Sequence, residues 1–305
     1  MVSKINDTWI TTTVNKLNNI EYVIGNTDLD GVFSTSLLCN FFPNLKLGGF
    51  SNSANRIWLN KNVNKQNVAY IDIFIANKEI LSIDNHIVQL DNNIVVNENK
   101  INPNLIRGVG LYSYYKKYPF STFIFILKII EKTKGSVNID IDRIIGYIDN
   151  EPVFLWEVLL RADDTLLTTY KYFNNAKQWW GWLLNDVAKN SLLSKLYCKV
   201  QTVSTQENAM KIKNKVNDFL SLNFGCSNDG YKYINNNKFA DFVAFFSEIM
   251  GCKLSFNNKH LMEIALFAKR VKIADNINEI NTLLSNTSVK TFAFVKKDEL
   301  SYSYI

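Results

Sequence analysis

The first half of the chain is punctuated by short, near-continuous apolar runs, and most of them lead into an aspartate. Tyr22-Val-Ile halts at Gly25 and is followed by Asp28 and Asp30. Val68-Ala-Tyr-Ile leads into Asp72, and Glu79-Ile-Leu-Ser-Ile ends at Asp84. Asn93-Ile-Val-Val is a further candidate run. Runs of this kind, rich in β-branched residues and without polar alternation, suit the strands of a parallel sheet covered on both faces. After the first run, Phe33, Leu37, Leu38 and Phe41 recur at helical spacing until Pro43 stops the pattern. Strand, tight turn and helix form the opening half of a βαβ unit. The expected fold class is therefore α/β, a parallel sheet flanked by helices.

Further along, Tyr114–Thr133 reads as a helix interrupted near Pro119, and Arg143-Ile-Ile-Gly-Tyr-Ile as another strand-like run, ending at Asp149. Residues 154–196 are largely helical in pattern. Near 200–208 the composition turns polar (Gln-Thr-Val-Ser-Thr-Gln-Glu-Asn), which predicts a domain boundary. Residues 1–200 would form the first domain. Residues 201–305 would form a smaller α/β domain given to substrate binding, with helices over 209–222 and 238–250 and strands over 252–256, 288–295 and 301–305.

A hydrophobic share of 47% in 305 residues is enough for a sizeable core. No run of about 18 apolar residues is present, so a membrane span is not expected. The N-terminus, Met-Val-Ser-Lys-Ile-Asn-Asp, has no apolar core of a secretory signal. Cys39, Cys198, Cys226 and Cys252 lie far apart and make no Cys-x-x-Cys pair, and the chain has only 2 histidines. That excludes Cys/His zinc chemistry and fits free thiols in a reducing, cytoplasmic setting. A net charge of +6 is mildly basic and fits a polyanionic partner without requiring one.

The chemistry lies in the carboxylates. In an open α/β sheet, ligands bind outside the carboxyl ends of the strands, so Asp28, Asp30, Asp72, Asp84 and Asp149 are expected on one edge. One aspartate at a strand end is ordinarily a cap or turn former. Several crowded together repel one another and usually hold cations. Hard oxygen ligands with one imidazole, His86, suit Mg²⁺ or Mn²⁺, and two such ions are a recurrent phosphodiester-cleaving device.

The same residues carry a family resemblance. Val23-Ile-Gly-Asn-Thr-Asp-Leu-Asp-Gly-Val-Phe-Ser-Thr-Ser-Leu resembles the first motif of the DHH phosphoesterases, above all the RecJ-like exonucleases. Tyr70-Ile-Asp72 resembles the second motif, and Asp84-Asn85-His86 the Asp-His-His signature with one change. Asn102-Pro103-Asn104 is similar to the Asn-Pro that follows it, and Asp149 falls where a fourth, Asp-bearing motif belongs. Asp163 and Asp164 compete with Asp149 for that role. The resemblance spans about residues 20–150. It implies two Mn²⁺ or Mg²⁺ ions held by Asp28, Asp30, Asp72 and Asp149 with help from Asn26 and Asn85, Asp72 bridging them. His86 would bind or protonate a phosphate oxygen and Asp84 would orient its loop. Asn26 stands where the family has His or Asp, Asn85 where it has His, and the family's C-terminal Gly-rich signature with His is absent.

Arg107 and Arg161 are candidate phosphate contacts, or else surface ion pairs. Trp179-Trp180-Gly-Trp182 either stacks bases or packs the core. The expected function is a metal-dependent phosphodiesterase. Its substrate would be single-stranded nucleic acid, short oligonucleotides or cyclic dinucleotides. The alternative is a catalytically weakened DHH-fold protein that binds nucleic acid, nucleotide or a protein partner.

Overall fold

The computed structural model describes residues 8–52, 56–64, 67–75, 77, 79–90, 99–152, 154, 170–202, 206–226, 237–256, 261–272, 289–296 and 299–304. Its strands are β1 (Tyr22–Asn26), β2 (Lys46–Ser51), β3 (Arg56–Asn60), β4 (Val68–Ile71), β5 (Leu81–Ile83), β6 (Lys100–Ile101), β7 (Tyr147–Ile148), β8 (Glu151–Pro152), β9 (Leu261–Ala265), β10 (Phe267–Lys272), β11 (Val289–Lys296) and β12 (Glu299–Tyr304). Seven of them make one sheet in the order β6-β5-β4-β1-β2-β3-β9. β1 pairs parallel with both β2 and β4, and β4, β5 and β6 continue in parallel. β3 and β9 close the other edge antiparallel. The fold is α/β, with a mostly parallel sheet flanked by helices. A small antiparallel sheet, β10-β12-β11, accompanies it.

Side chains alternate across the main sheet as period 2 demands. Val23, Ala69, Ile71, Leu81 and Ile83 join the larger core, while Ile24, Val68 and Tyr70 join a smaller one on the opposite face. Both faces are covered, which is why these strands read as continuous apolar runs rather than alternating ones.

The strand–turn–helix at the start sets the geometry of everything near it. Helix α1 (Thr8–Asn18) precedes β1, and α2 (Leu29–Phe41) is buried along Leu29–Leu38. It lies so close to β1 that a Cβ on Gly25 would sit 2.4 Å from Thr35 Oγ1, and one on Gly31 would sit 2.4 Å from the Asn26 carbonyl. These two glycines let the helix begin directly behind the strand end.

The helix expected over Tyr114–Thr133 is split near Pro119. A 3₁₀ turn covers Leu111–Lys116 and a buried helix, α4 after α3 (Pro103–Ile106), covers Thr122–Lys134 with Ser121 as its N-cap. α4 anchors two further helices by opposite charges. Its buried Lys128 donates to the Leu183 and Asn185 carbonyls at the end of helix Tyr170–Leu184 (both 3.1 Å). Its Glu131 accepts from the Leu192 N–H (2.6 Å) at the start of helix Leu192–Thr202. Each charge matches the dipole of the helix end it meets.

The boundary expected at residue 200 is crossed by pairing and packing. β9 pairs antiparallel with β3 inside the main sheet. Phe246, on helix Asn237–Ile249, lies 5.5 Å from Phe33 of α2, edge to face. The helices expected over 209–222 and 238–250 are present as Gln206–Phe224 and Asn237–Ile249, and the two last strands as β11 and β12. Residues 252–256 form no strand, and Asn93–Val96 lie outside the described residues. Among the described residues, no helix is long and apolar enough to cross a membrane.

Candidate functional site

The order of the sheet decides where a ligand can sit. From β1 the chain passes through α2 to β2 on one side, and later returns to β4 on the other. The carboxyl ends of β1 and β4 therefore flank the topological switch point, where open α/β sheets bind ligands. Asn26 ends β1, Asp28 N-caps α2, Asp72 follows β4 and Asp84 follows β5.

Asp72 is 3% exposed and held in the left-handed backbone region, at φ 61°. For a non-glycine residue this is a strained conformation worth about 1–3 kcal/mol, of the kind found at functional sites. Its N–H bonds the Ile83 carbonyl (2.8 Å), tying the turn to β5. Its Oδ1 accepts from the Thr122 hydroxyl (2.7 Å) and its Oδ2 from the Asn26 side-chain amide (3.2 Å). Burial, and then the neighbouring Asp30, Asp28 and Asp84, push its pKa well above the ordinary carboxylate range.

Asp30 is also buried, and its oxygens are turned to the first turn of α4. They accept from the Thr122 N–H (2.8 Å), the Phe123 N–H (2.9 Å) and the Ser34 hydroxyl (3.1 Å). Burial and then Asp28 raise its pKa to about 7 against the pull of those donors. Asp28 uses Oδ1 to cap the Gly31 N–H (2.9 Å) and accepts the Asn26 amide on Oδ2 (3.1 Å).

Asp84, 1% exposed, grips the residue two positions on. Its Oδ1 lies 2.7 Å from His86 Nδ1, and its Oδ2 accepts the His86 N–H at 3.1 Å. The imidazole is 33% exposed. Its burial pulls the pKa down, but the charge and hydrogen bond of Asp84 outweigh that and hold it above its ordinary value. Asn102 and Asn104 hold the loop from behind. Asn102 caps α3 with its oxygen and donates to the His86 carbonyl (2.9 Å). Asn104 donates to the Asn85 carbonyl and accepts the Tyr118 N–H (both 2.7 Å). Asn85 is 2% exposed; its amide donates to the Phe120 carbonyl (2.8 Å), while its buried Oδ1 has no hydrogen-bond partner.

Asp72, Asp84 and His86 each offer a ligand atom, and these atoms lie within 4.8 Å of one another. Among the described residues this is the one group of three His, Cys, Asp or Glu side chains so placed. Oxygen and imidazole donors of this kind suit Mn²⁺ or Mg²⁺. The unpartnered Asn85 oxygen next to them in sequence is a further hard donor, and buried acceptors are rarely left without a partner.

Of the other expected residues, Asp149 lies elsewhere. Asp149 does not end a strand of the main sheet. Residues 141–145 form a short helix, α5, and Asp149 and Asn150, both at positive φ (52° and 63°), make the two-residue turn of the β7–β8 hairpin. The Asp149 carboxylate is 80% exposed and pairs with Lys215 (3.6 Å). A short apolar run around Gly146 was indistinguishable from a strand by pattern. Arg107 stacks on the buried ring of Trp179, 4.4 Å from its centroid, and burial lowers its pKa. Trp179 and Trp180 are core residues. Arg161, Asp163 and Asp164 lie outside the described residues. Thr122, which no sequence signal marked, is the residue that joins Asp30 and Asp72 to one helix terminus.

No family model, curated protein or solved structure matches the chain.

Proposed function

We propose that the chain is a metal-dependent phosphodiesterase of the DHH type, acting on single-stranded nucleic acid, short oligonucleotides or cyclic dinucleotides. The observation that carries this reading is the convergence of Asp72, Asp84 and His86 within 4.8 Å, beside the switch point of a mostly parallel sheet. These three side chains, with the Asn85 oxygen, would hold Mn²⁺ or Mg²⁺. Such an ion, when bound, lowers the pKa of a water and offsets charge building on the phosphoryl oxygens.

The chain's own residues orient and exclude. Asp84 fixes the tautomer and the plane of His86 by holding Nδ1, which leaves Nε2 as the ring nitrogen with a lone pair to offer. Thr122 and Asn26 fix both oxygens of Asp72. Asn102 and Asn104 immobilise the backbone that carries Asn85 and His86. Burial of Asp72 and Asp84 keeps water from diluting their charge, which strengthens their pull on a cation.

A second reading, a weakened DHH-fold protein that binds without turnover, is favoured by one observation. The Asn26 amide already lies between the carboxylates of Asp28 and Asp72. One experiment separates the two. The purified chain is incubated with Mn²⁺ and a panel of labelled single strands, dinucleotides and cyclic dinucleotides. Cleavage that needs Mn²⁺ and is lost in Asp84→Asn supports the enzyme. Binding without cleavage in the whole panel supports the binder.

A further inference from the structure

We infer that this centre takes one divalent cation rather than two, and that the Asn26 side-chain amide stands where the second would act. The inference rests on the metal-centre reading above and concerns how many ions that centre holds.

The orientation of Asn26 is settled by its surroundings. Its Oδ1 accepts the Thr27 N–H at 2.9 Å, and its Nδ2 lies 3.1 Å from Asp28 Oδ2 and 3.2 Å from Asp72 Oδ2. Turning the amide over would point its oxygen at two carboxylates and its NH₂ at an N–H. Every one of those contacts would repel, so the nitrogen faces the acids. An NH₂ group has two hydrogens, and here each has its own carboxylate. Asn26 is thus a neutral bridge between two acids that would otherwise repel each other.

The oxygens a second cation would need are committed to donors. Asn26 Oδ1 serves Thr27, and Asp28 serves Gly31 with one oxygen and Asn26 with the other. Asp30 accepts three donors, two of them the opening N–H groups of α4. A cation between Asp28 and Asp72 would have to displace the Asn26 amide and break the Thr27 contact to gain its oxygen. The oxygens of Asp72 and Asp84 also accept donors, from Thr122, Asn26 and His86, but a carboxylate oxygen keeps a second lone pair for a cation; what sets the other position apart is the Asn26 nitrogen, which lies between Asp28 and Asp72 and cannot ligate. Asp72 contributes to both sets. It is a ligand of the single ion and the partner of Asn26, which makes Asn26 a positioning residue for that ligand.

The experiment counts ions. Wild type, Asn26→Asp and Asn26→Ala are dialysed against excess Mn²⁺, and bound manganese per chain is measured by elemental analysis and by electron paramagnetic resonance. Wild type should hold one ion with the signal of an isolated Mn²⁺. Asn26→Asp exchanges an N–H donor for a charged oxygen, and should hold two ions with a magnetically coupled signal. In chelator it should melt lower than wild type, because an added carboxylate faces Asp28 and Asp72 unscreened. Asn26→Ala should still hold one, because Asn26 gives that ion no ligand. Two ions in wild type, a single ion in folded Asn26→Asp, or none in Asn26→Ala overturns the inference and leaves the phosphodiesterase reading standing. No ion in wild type overturns the metal centre itself.

Discussion

Thr122 Oγ1 lies 2.7 Å from Asp72 Oδ1, so the first residue of α4 holds a carboxylate that follows β4, fifty positions earlier in the chain. The neighbouring N–H groups of the same helix turn hold Asp30. One helix terminus therefore positions acids from two different strand ends, and its partial positive charge offsets their repulsion. Thr122→Val keeps the shape and removes only the hydroxyl. It should cost about 1–3 kcal/mol, the range for a buried acceptor that loses its donor. Urea unfolding in chelator measures this, and an unchanged midpoint would show that the bond carries no stability.

The raised carboxylates give the metal-free protein an unusual pH dependence. Asp30 is pushed to about 7 in the folded state, by burial and then by Asp28, from an ordinary value near 3.8. Between those values the folded state binds more protons than the unfolded one, so stability falls as pH rises. Asp72 acts in the same direction, since its pKa is also raised. So does His86, whose raised pKa gives stability that is present below its unfolded value of 6.5 and lost as pH climbs through the folded one. In chelator, the urea midpoint should therefore drop from pH 5 to pH 8. Asp30→Asn, which cannot ionise, should flatten that slope. A midpoint that rises over this range would contradict the burial of these acids.

Asn104 ties three separate pieces of chain together, and its loss should be felt in both stability and ion binding. Asn104→Ala leaves the buried Asn85 carbonyl and the Tyr118 N–H without their partners. At about 1–3 kcal/mol for each orphaned group, the change should cost roughly 2–6 kcal/mol. Because the Asn85–His86 loop is then free to shift, the rise in melting temperature on adding Mn²⁺ should also shrink. Calorimetric melting with and without Mn²⁺ reads both effects. A stability loss with a full Mn²⁺ shift would confine Asn104 to the fold.

Arg107, a candidate phosphate contact or surface ion pair by sequence, stacks on Trp179. Arg107→Lys keeps the charge but loses the planar stack, and should destabilise the protein by about 0.5–1 kcal/mol. Affinity for a labelled single strand should change little. Weakened binding with unchanged melting would return Arg107 to the substrate.

The readable parts of the sequence were those whose signals are local. The run Tyr22-Val-Ile, the glycines at 25 and 31 and the acids at 28 and 30 declare a strand, a close turn and a helix within ten residues. Asp72 and the trio Asp84-Asn85-His86 stand out because polar groups there interrupt or end apolar runs. Asp149 misled because Gly146 lies at positive φ (49°), where it ends a short helix and starts a hairpin, and neither feature differs in pattern from a buried strand end. β9 was invisible for another reason. Leu261–Ala265 is five residues long, half-buried to exposed throughout, and its partner β3 lies about 205 residues earlier in the chain, with Trp58 opposite Glu263 at the middle of the pair. Thr122 shows the same limit at the site, since a side chain that reaches another strand end leaves no mark on its neighbours in sequence.

Ion binding should depend steeply on pH, with His86 setting part of the slope. A cation and a proton compete for the same nitrogen, so each bound ion must release whatever proton the ligand carries. Asp84 keeps the His86 pKa above its ordinary value despite burial, so below about pH 6.5 the ring is charged and cannot ligate. Asp72, raised by burial and then by its acidic neighbours, brings a second proton to be displaced. With up to two protons leaving, the Mn²⁺ affinity should rise between about tenfold and a hundredfold per pH unit in the acidic range. It should level off once both ligands are free of protons. His86→Ala removes one competitor and one ligand together, so its affinity should be lower at every pH while its slope falls by about one power of ten per unit. Calorimetric titration from pH 5 to pH 8 in two buffers of different ionisation enthalpy counts the released protons directly. If wild type and His86→Ala release the same number, His86 is not a ligand, and its place is opposite a phosphate oxygen instead.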